Sequence, residues 1–108
     1  MYNIEWTEPA WEDIDELADY LMRQEESFQL AEELVRRILE APERLAVMPW
    51  SGKPGRVPDT RELLVQKTRY SLVYAVSDTT VFILRVMHSS RLFPPAPDQT
   101  VHGKSMPF

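Results

Sequence analysis

The chain has no cysteine, three glycines and two histidines in 108 residues. Without cysteine, disulfides and thiolate metal sites are excluded, and a reducing cytoplasm is the expected compartment. Two histidines, His88 and His102, are too few to build a metal centre, so no metal and no cofactor is expected. No apolar run approaches membrane-spanning length, and "MYNIEWTEP" lacks the basic and then apolar pattern of a secretory leader. Cations are also scarce in one half. Residues 1–50 carry 13 Asp/Glu against 4 Lys/Arg, whereas residues 51–108 carry 4 against 8. The two balances, −9 and +4, make up the net charge of −5. An acidic first half and a basic second half predict a dipolar surface whose basic side suits an acidic partner.

What is present is an ordinary globular composition, 44% hydrophobic and 27% charged, long enough for a single domain. "YNIEWT" alternates as a half-buried strand, with Tyr2, Ile4 and Trp6 on one face. Thr7, Glu8 and Pro9 read as a helix start, the threonine hydroxyl serving as cap. Ala10, Ile14, Leu17, Ala18 and Leu21 then recur at helical spacing, flanked by Trp11. A break at residues 24–26 and a capping Ser27 introduce a second helix, with Ala31, Leu34, Val35, Ile38 and Leu39 inward. Pro42 kinks or restarts it, and the helix runs on to about Val47. The short connection implies an antiparallel helical hairpin. "MPWSGKPGRVPDT", with Pro49, Pro54, Pro58, Gly52 and Gly55, reads as a loop.

Three strands follow: Arg61 to Gln66, Arg69 to Val76 and Thr80 to His88, joined by the hairpin turns "KT" and "SDTT". The order β-α-α-β-β-β predicts an α+β fold of two layers, a helical hairpin on a mainly antiparallel four-stranded sheet. Strict alternation in the last strand sets Phe82, Leu84 and Val86 against Val81, Ile83 and Met87. Two helices cover one sheet face, so the other is expected to keep apolar residues beside Arg85, where another chain docks or the C-terminal tail folds back. Residues 1–94 form the domain and 95–108 a polar, proline-rich tail.

Among the charged groups, Glu12, Asp15, Glu16 and Asp19 form an acidic stripe on the outer face of the first helix. It reads as a solvated surface or as a docking strip for a basic partner, because an exposed stripe offers no cleft for paired carboxylates. His88, Ser89 and Ser90 make no serine triad, since strand neighbours point to opposite faces and the G-x-S-x-G elbow is absent. "SGKPGR" lacks phosphate-loop spacing. Lys53, Arg56, Arg61, Lys67, Arg69, Arg85 and Arg91 remain, together with His88, Tyr70 and Tyr74. Cations beside a histidine at a sheet rim can bind a phosphodiester backbone and assist attack by a ribose 2′-hydroxyl. Equally, Arg61 and Arg85 can pair with carboxylates from a neighbouring helix or partner while His88 bonds within the sheet. Residue by residue, this second reading is preferred.

The strings "WTEPAWEDIDELADYL", "GRVPDTRELLV", "YSLVYAV" and "VFILRVMHSSR", in this order and at this length, resemble the RelE/ParE superfamily of bacterial toxin–antitoxin toxins. The resemblance runs from about residue 2 to 94. The R-V-x-H-x-x-R ending, here Arg85, Val86, His88 and Arg91, is most similar to the ParE or plasmid-stabilisation branch. It implies a cytoplasmic toxin held in a hetero-oligomer by a ParD-like antitoxin whose acidic C-terminal segment folds on it. RelE-like members cut mRNA in the ribosome, whereas ParE-like members inhibit DNA gyrase by binding. RelE-like enzymes place an arginine where this chain has Ser71, and ribosome-directed members are basic overall. The expectation is therefore a gyrase inhibitor with no direct nucleic-acid binding. Arg56, Arg61, Arg69, Tyr70, Arg85, His88 and Arg91 are its expected antitoxin or target contacts. The alternative is a ribosome-dependent mRNA endonuclease using His88, Arg85 and Arg91.

Overall fold

A computed structural model describes residues 1–24 and 28–88. The expectations for Ser27, Ser89, Ser90, Arg91, His102 and the tail 95–108 lie outside the described residues, as does most of the break at 24–26. Strand β1 (Asn3–Trp6) is followed by helices α1 (Glu8–Arg23), α2 (Phe28–Glu40) and α3 (Pro42–Val47), and then by β2 (Lys53–Pro54), β3 (Arg61–Leu64), β4 (Tyr70–Ser77) and β5 (Thr80–His88). The sheet order is β1-β5-β4-β3-β2, with β1 parallel to β5 and the other pairs antiparallel. The α+β architecture is as expected, but the sheet has five strands. The fifth comes from the expected loop, where Lys53 and Pro54 pair with Glu62 and Arg61. Proline is tolerated there because β2 is an edge strand.

Two local expectations fail for physical reasons. Thr7 caps no helical N–H; its hydroxyl donates to the Ile83 carbonyl at 2.8 Å and its N–H to the same oxygen at 3.1 Å. A partner on the neighbouring strand has outcompeted the local cap. In β5, Val73 faces Arg85 but Tyr74 faces Ile83, so Leu84 is an extra residue in a bulge. A one-residue insertion reverses the facing of everything beyond it. Val86 therefore joins Val81 and Ile83 in the core instead of opposing them.

Helices α1, α2 and α3 contribute Leu17, Ile38 and Leu45, all fully buried, against Leu72, Tyr74, Val81, Ile83 and Val86. Each such aliphatic side chain stabilises the fold by about 2 kcal/mol. The second sheet face is only partly bare. Val73 is 1% exposed, Ser71 and Met87 are buried, and Phe82 and Leu84 are half-buried. The small residues of β4 stand directly opposite long ones of β5, Ser71 by Met87 and Ala75 by Phe82, and cross-strand neighbours at this spacing shield one another. On this face Leu64, opposite Ser71, is exposed, and apolar exposure lies elsewhere at Met22, Phe28 and Leu39 on the hairpin and at Val47, Met48 and Trp50 before β2.

Candidate functional site

The described members of the expected contact set separate into two groups, one at the start of β4 and one beside its middle. At one end the sheet register places Tyr70 beside His88, their rings edge-to-face with centroids 5.2 Å apart. Arg69 precedes them, exposed in the turn. Burial, with a smaller contribution from Tyr20, pushes the Tyr70 phenol above its ordinary value. Tyr70 is thus protonated at neutral pH and supplies no base.

Arg85, further along β5, is committed. Its Nε and Nη2 donate to the two carboxylate oxygens of Asp13 on α1, at 2.7 and 2.9 Å. The Val86 N–H adds a third bond to Asp13 Oδ2 at 2.8 Å. The cause is topological. β1 pairs with β5 only as far as Ile83, and beyond it Asp13, only 5% exposed, serves the edge that β1 leaves. The bond and charge of Asp13 outweigh burial and hold the Arg85 guanidinium above its ordinary value. Sequence reading missed Asp13. The signal was available: it falls at helical spacing within the stripe of Ala10, Ile14 and Leu17, where a carboxylate demands a partner.

The other group staples the segment 49–62. Tyr74 Oη accepts the Gly52 N–H and donates to the Pro49 carbonyl, both at 2.9 Å. Arg61 Nη1 donates to the Gly52 carbonyl at 2.6 Å, and its guanidinium lies 5.3 Å from the Trp50 ring centre, within cation–π range. Arg56 grips Glu62 through its backbone N–H, Nε and Nη2 at 3.1–3.3 Å. Pro49, Trp50 and Arg56 are thereby fixed beside β3. Arg61 aligns with Tyr74, four residues from Tyr70 on β4, so the two groups stand about 13 Å apart along the sheet.

Glu62, also missed from the sequence, is buried. Burial opposes its ionisation, but the hydrogen bonds and charge of Arg56, with help from Lys53, prevail and lower its pKa below 4.5. A carboxyl lowered on folding contributes stability that is present above its unfolded value and lost as pH falls through the folded value. Acid titration of the stability should therefore fall below about pH 4.5 in the native chain, and less steeply in Glu62→Gln. Urea unfolding at pH 3, 4, 5 and 7 checks this; identical slopes in the two proteins would contradict it.

Among the described residues no three His, Asp or Glu side chains group to hold a metal, and no helix is long and apolar enough to cross a membrane. Only Tyr70 and His88 of the expected set touch as rings, and Arg85 is engaged with α1.

Comparison with known proteins places this arrangement. Residues 4–93 match the model of the ParE toxin of type II toxin–antitoxin systems, parDE. The chain belongs to the ParE toxin family. A Sinorhizobium fredii protein, Y4kP, described as a candidate toxin, is 37% identical over 91 residues, covering 84% of this chain and 92% of that protein. A chain of the chromosomal ParDE system of P. aeruginosa is 26% identical with a TM-score of 0.73, over 82% of this chain and 96% of that one. A chain of the intact E. coli RelBE toxin–antitoxin complex shares the fold at 21% identity and a TM-score of 0.52, over 84% and 100% of the two chains. The chain is thus a type II toxin of the RelE/ParE superfamily.

Proposed function

We propose that this ParE-family chain inhibits DNA gyrase by binding, without cleaving nucleic acid, and that a cognate ParD-like antitoxin with an acidic C-terminal segment neutralises it in a hetero-oligomer. The observation that carries the reading is the dispersal of its cations. Arg85 is bound by Asp13, Arg56 by Glu62 and Arg61 by the Gly52 carbonyl. Phosphoryl chemistry requires cations and a base converging on one phosphate, and among the described residues that convergence is missing. The likeness to a chain of a ParDE system supports the same choice over the RelE alternative. Exposed Arg69, the half-buried His88 and the stapled segment with Trp50, Arg56 and Arg61 remain as contact surface for antitoxin or target.

In cells, induction of the chain should relax plasmid DNA before protein synthesis falls, and co-expression of a cognate ParD-like antitoxin should prevent both. His88→Gln, which keeps a polar ring-sized group at the sheet rim, should retain toxicity within about threefold, because no proton transfer is assigned to it. Growth curves after induction, with circular dichroism to confirm the fold, check the variant. Complete loss of toxicity in a folded His88→Gln protein would favour the endonuclease.

A further inference from the structure

The segment stapled by Tyr74 and Arg61 presents one large aromatic side chain to solvent. Trp50 is 58% exposed, with Val47 at 66% and Met48 at 53% beside it in the chain. Large apolar side chains gathered in this way mark a contact surface.

The backbone on both sides of Trp50 is bonded. Before it, the Met48 N–H donates to the Arg44 carbonyl at 2.8 Å, and the Pro49 carbonyl accepts the Tyr74 hydroxyl at 2.9 Å. After it, the Ser51 N–H donates to the Met48 carbonyl at 3.1 Å. Gly52 is held at both its N–H and its carbonyl, by Tyr74 and Arg61. The Arg61 guanidinium lies over the indole itself. A side chain on so fixed a support loses little freedom on binding. Tryptophan and arginine are also the residues in which binding energy concentrates.

Shape and charge together select the occupant. Trp50 lines neither the apolar groove between α1 and α2 nor the cleft between α3 and β3. It is a knob. A segment that folds on binding brings apolar knobs of its own and lays them into grooves or along sheet edges. A knob on this chain needs a hole, which a partner already folded holds ready. Residues 44–61 carry Arg44, Lys53, Arg56 and Arg61 against the single acid Asp59. Arg56 is answered by buried Glu62. Arg44 and Lys53 are exposed and enter no ion pair among the described residues. Complementarity gives the hole an acidic rim.

We propose that Trp50 is the anchor by which this chain grips gyrase, entering an apolar pocket with an acidic rim on the folded enzyme, and that antitoxin binding does not depend on it. The assignment rests on the gyrase reading and locates its contact.

The test is a gyrase supercoiling titration with the purified full-length chain, beside a measurement of its affinity for the cognate antitoxin. Trp50→Ala should raise the concentration for half-inhibition about thirtyfold or more, while antitoxin affinity stays within about threefold. Lys53→Glu, which sets an acid against the acidic rim, should raise it about fivefold. Both side chains are exposed, and circular dichroism confirms that each variant is folded. Inhibition by Trp50→Ala equal to that of the native chain overturns the anchor and leaves the gyrase reading standing. A native chain inert towards gyrase overturns both. An equal loss of antitoxin affinity in Trp50→Ala gives the knob to the antitoxin, and a loss of self-association gives it to a second copy; either result overturns the assignment. Stronger inhibition by Lys53→Glu overturns the acidic rim and with it the pocket as described.

Discussion

Replacing Asp13 by alanine is expected to lower the stability of the chain by about 3 kcal/mol, and its melting temperature by roughly 15 °C. The carboxylate receives three hydrogen bonds, two from Arg85 and one from the Val86 N–H. Its loss strips a buried backbone donor of its partner, and a donor left so costs about 1–3 kcal/mol on its own. The Arg85 side chain is 40% exposed and recovers part of its hydration, which keeps the total below the upper end for a broken buried pair. Asp13→Asn, able to accept from Val86 but uncharged, should fall between alanine and the native residue. Arg85→Ala should cost a similar amount, because it leaves Asp13 charged and buried. Urea denaturation of the four proteins checks the series. A loss under 1 kcal/mol for Asp13→Ala would mean the pair is ornamental and that α1 is held to β5 by apolar packing alone.

Gly52→Ala is the second large effect. A methyl group there would lie 2.6 Å from Tyr74 Oη and 2.7 Å from the Glu62 carbonyl oxygen, and the second of these is backbone with little room to yield. The segment must lift away, breaking the Tyr74 and Arg61 bonds to Gly52 and disturbing the pairing of β2 with β3. The expected cost is about 2–3 kcal/mol. Tyr74→Phe, which keeps the ring in the core but removes both hydroxyl bonds, should cost about 1–2 kcal/mol. Since the two changes undo one staple, the double variant should cost less than the sum of the singles. Strict additivity in the cycle would contradict the staple.

These two sites also mark where the sequence was legible and where it was not. The helices, Pro42 as a restart and the limits of β4 and β5 could be read nearly to the residue, because each rests on local periodicity or on a proline. The β5 bulge could not. It depends on how β4 and β5 align over their whole length, and alternation alone put Val86 on the wrong face. The same limit hid Asp13. It looks like one more acid of an acidic helix until the early end of β1 exposes the β5 edge that it serves. Lys53 and Pro54 read as loop because proline argues against a strand unless the strand is known to lie at an edge. For the candidate site, the seven expected residues were chosen by type, and type does not fix distance. The structure parts Arg61 from Tyr70 along β4 and gives Arg85 to α1. The second sheet face is partly shielded across strands and keeps Leu64 exposed, and further exposed apolar groups lie on the hairpin and before β2.

The central claim, that this ParE-family chain acts on gyrase by binding, is tested most directly by titrating the purified chain in parallel into a gyrase supercoiling reaction and a cell-free translation reaction. The account predicts that supercoiling stops as the chain approaches the gyrase concentration, that addition of the antitoxin restores it, and that translation and its mRNA stay intact. Undiminished supercoiling beside cleaved mRNA would contradict it and assign the chain to the ribosome.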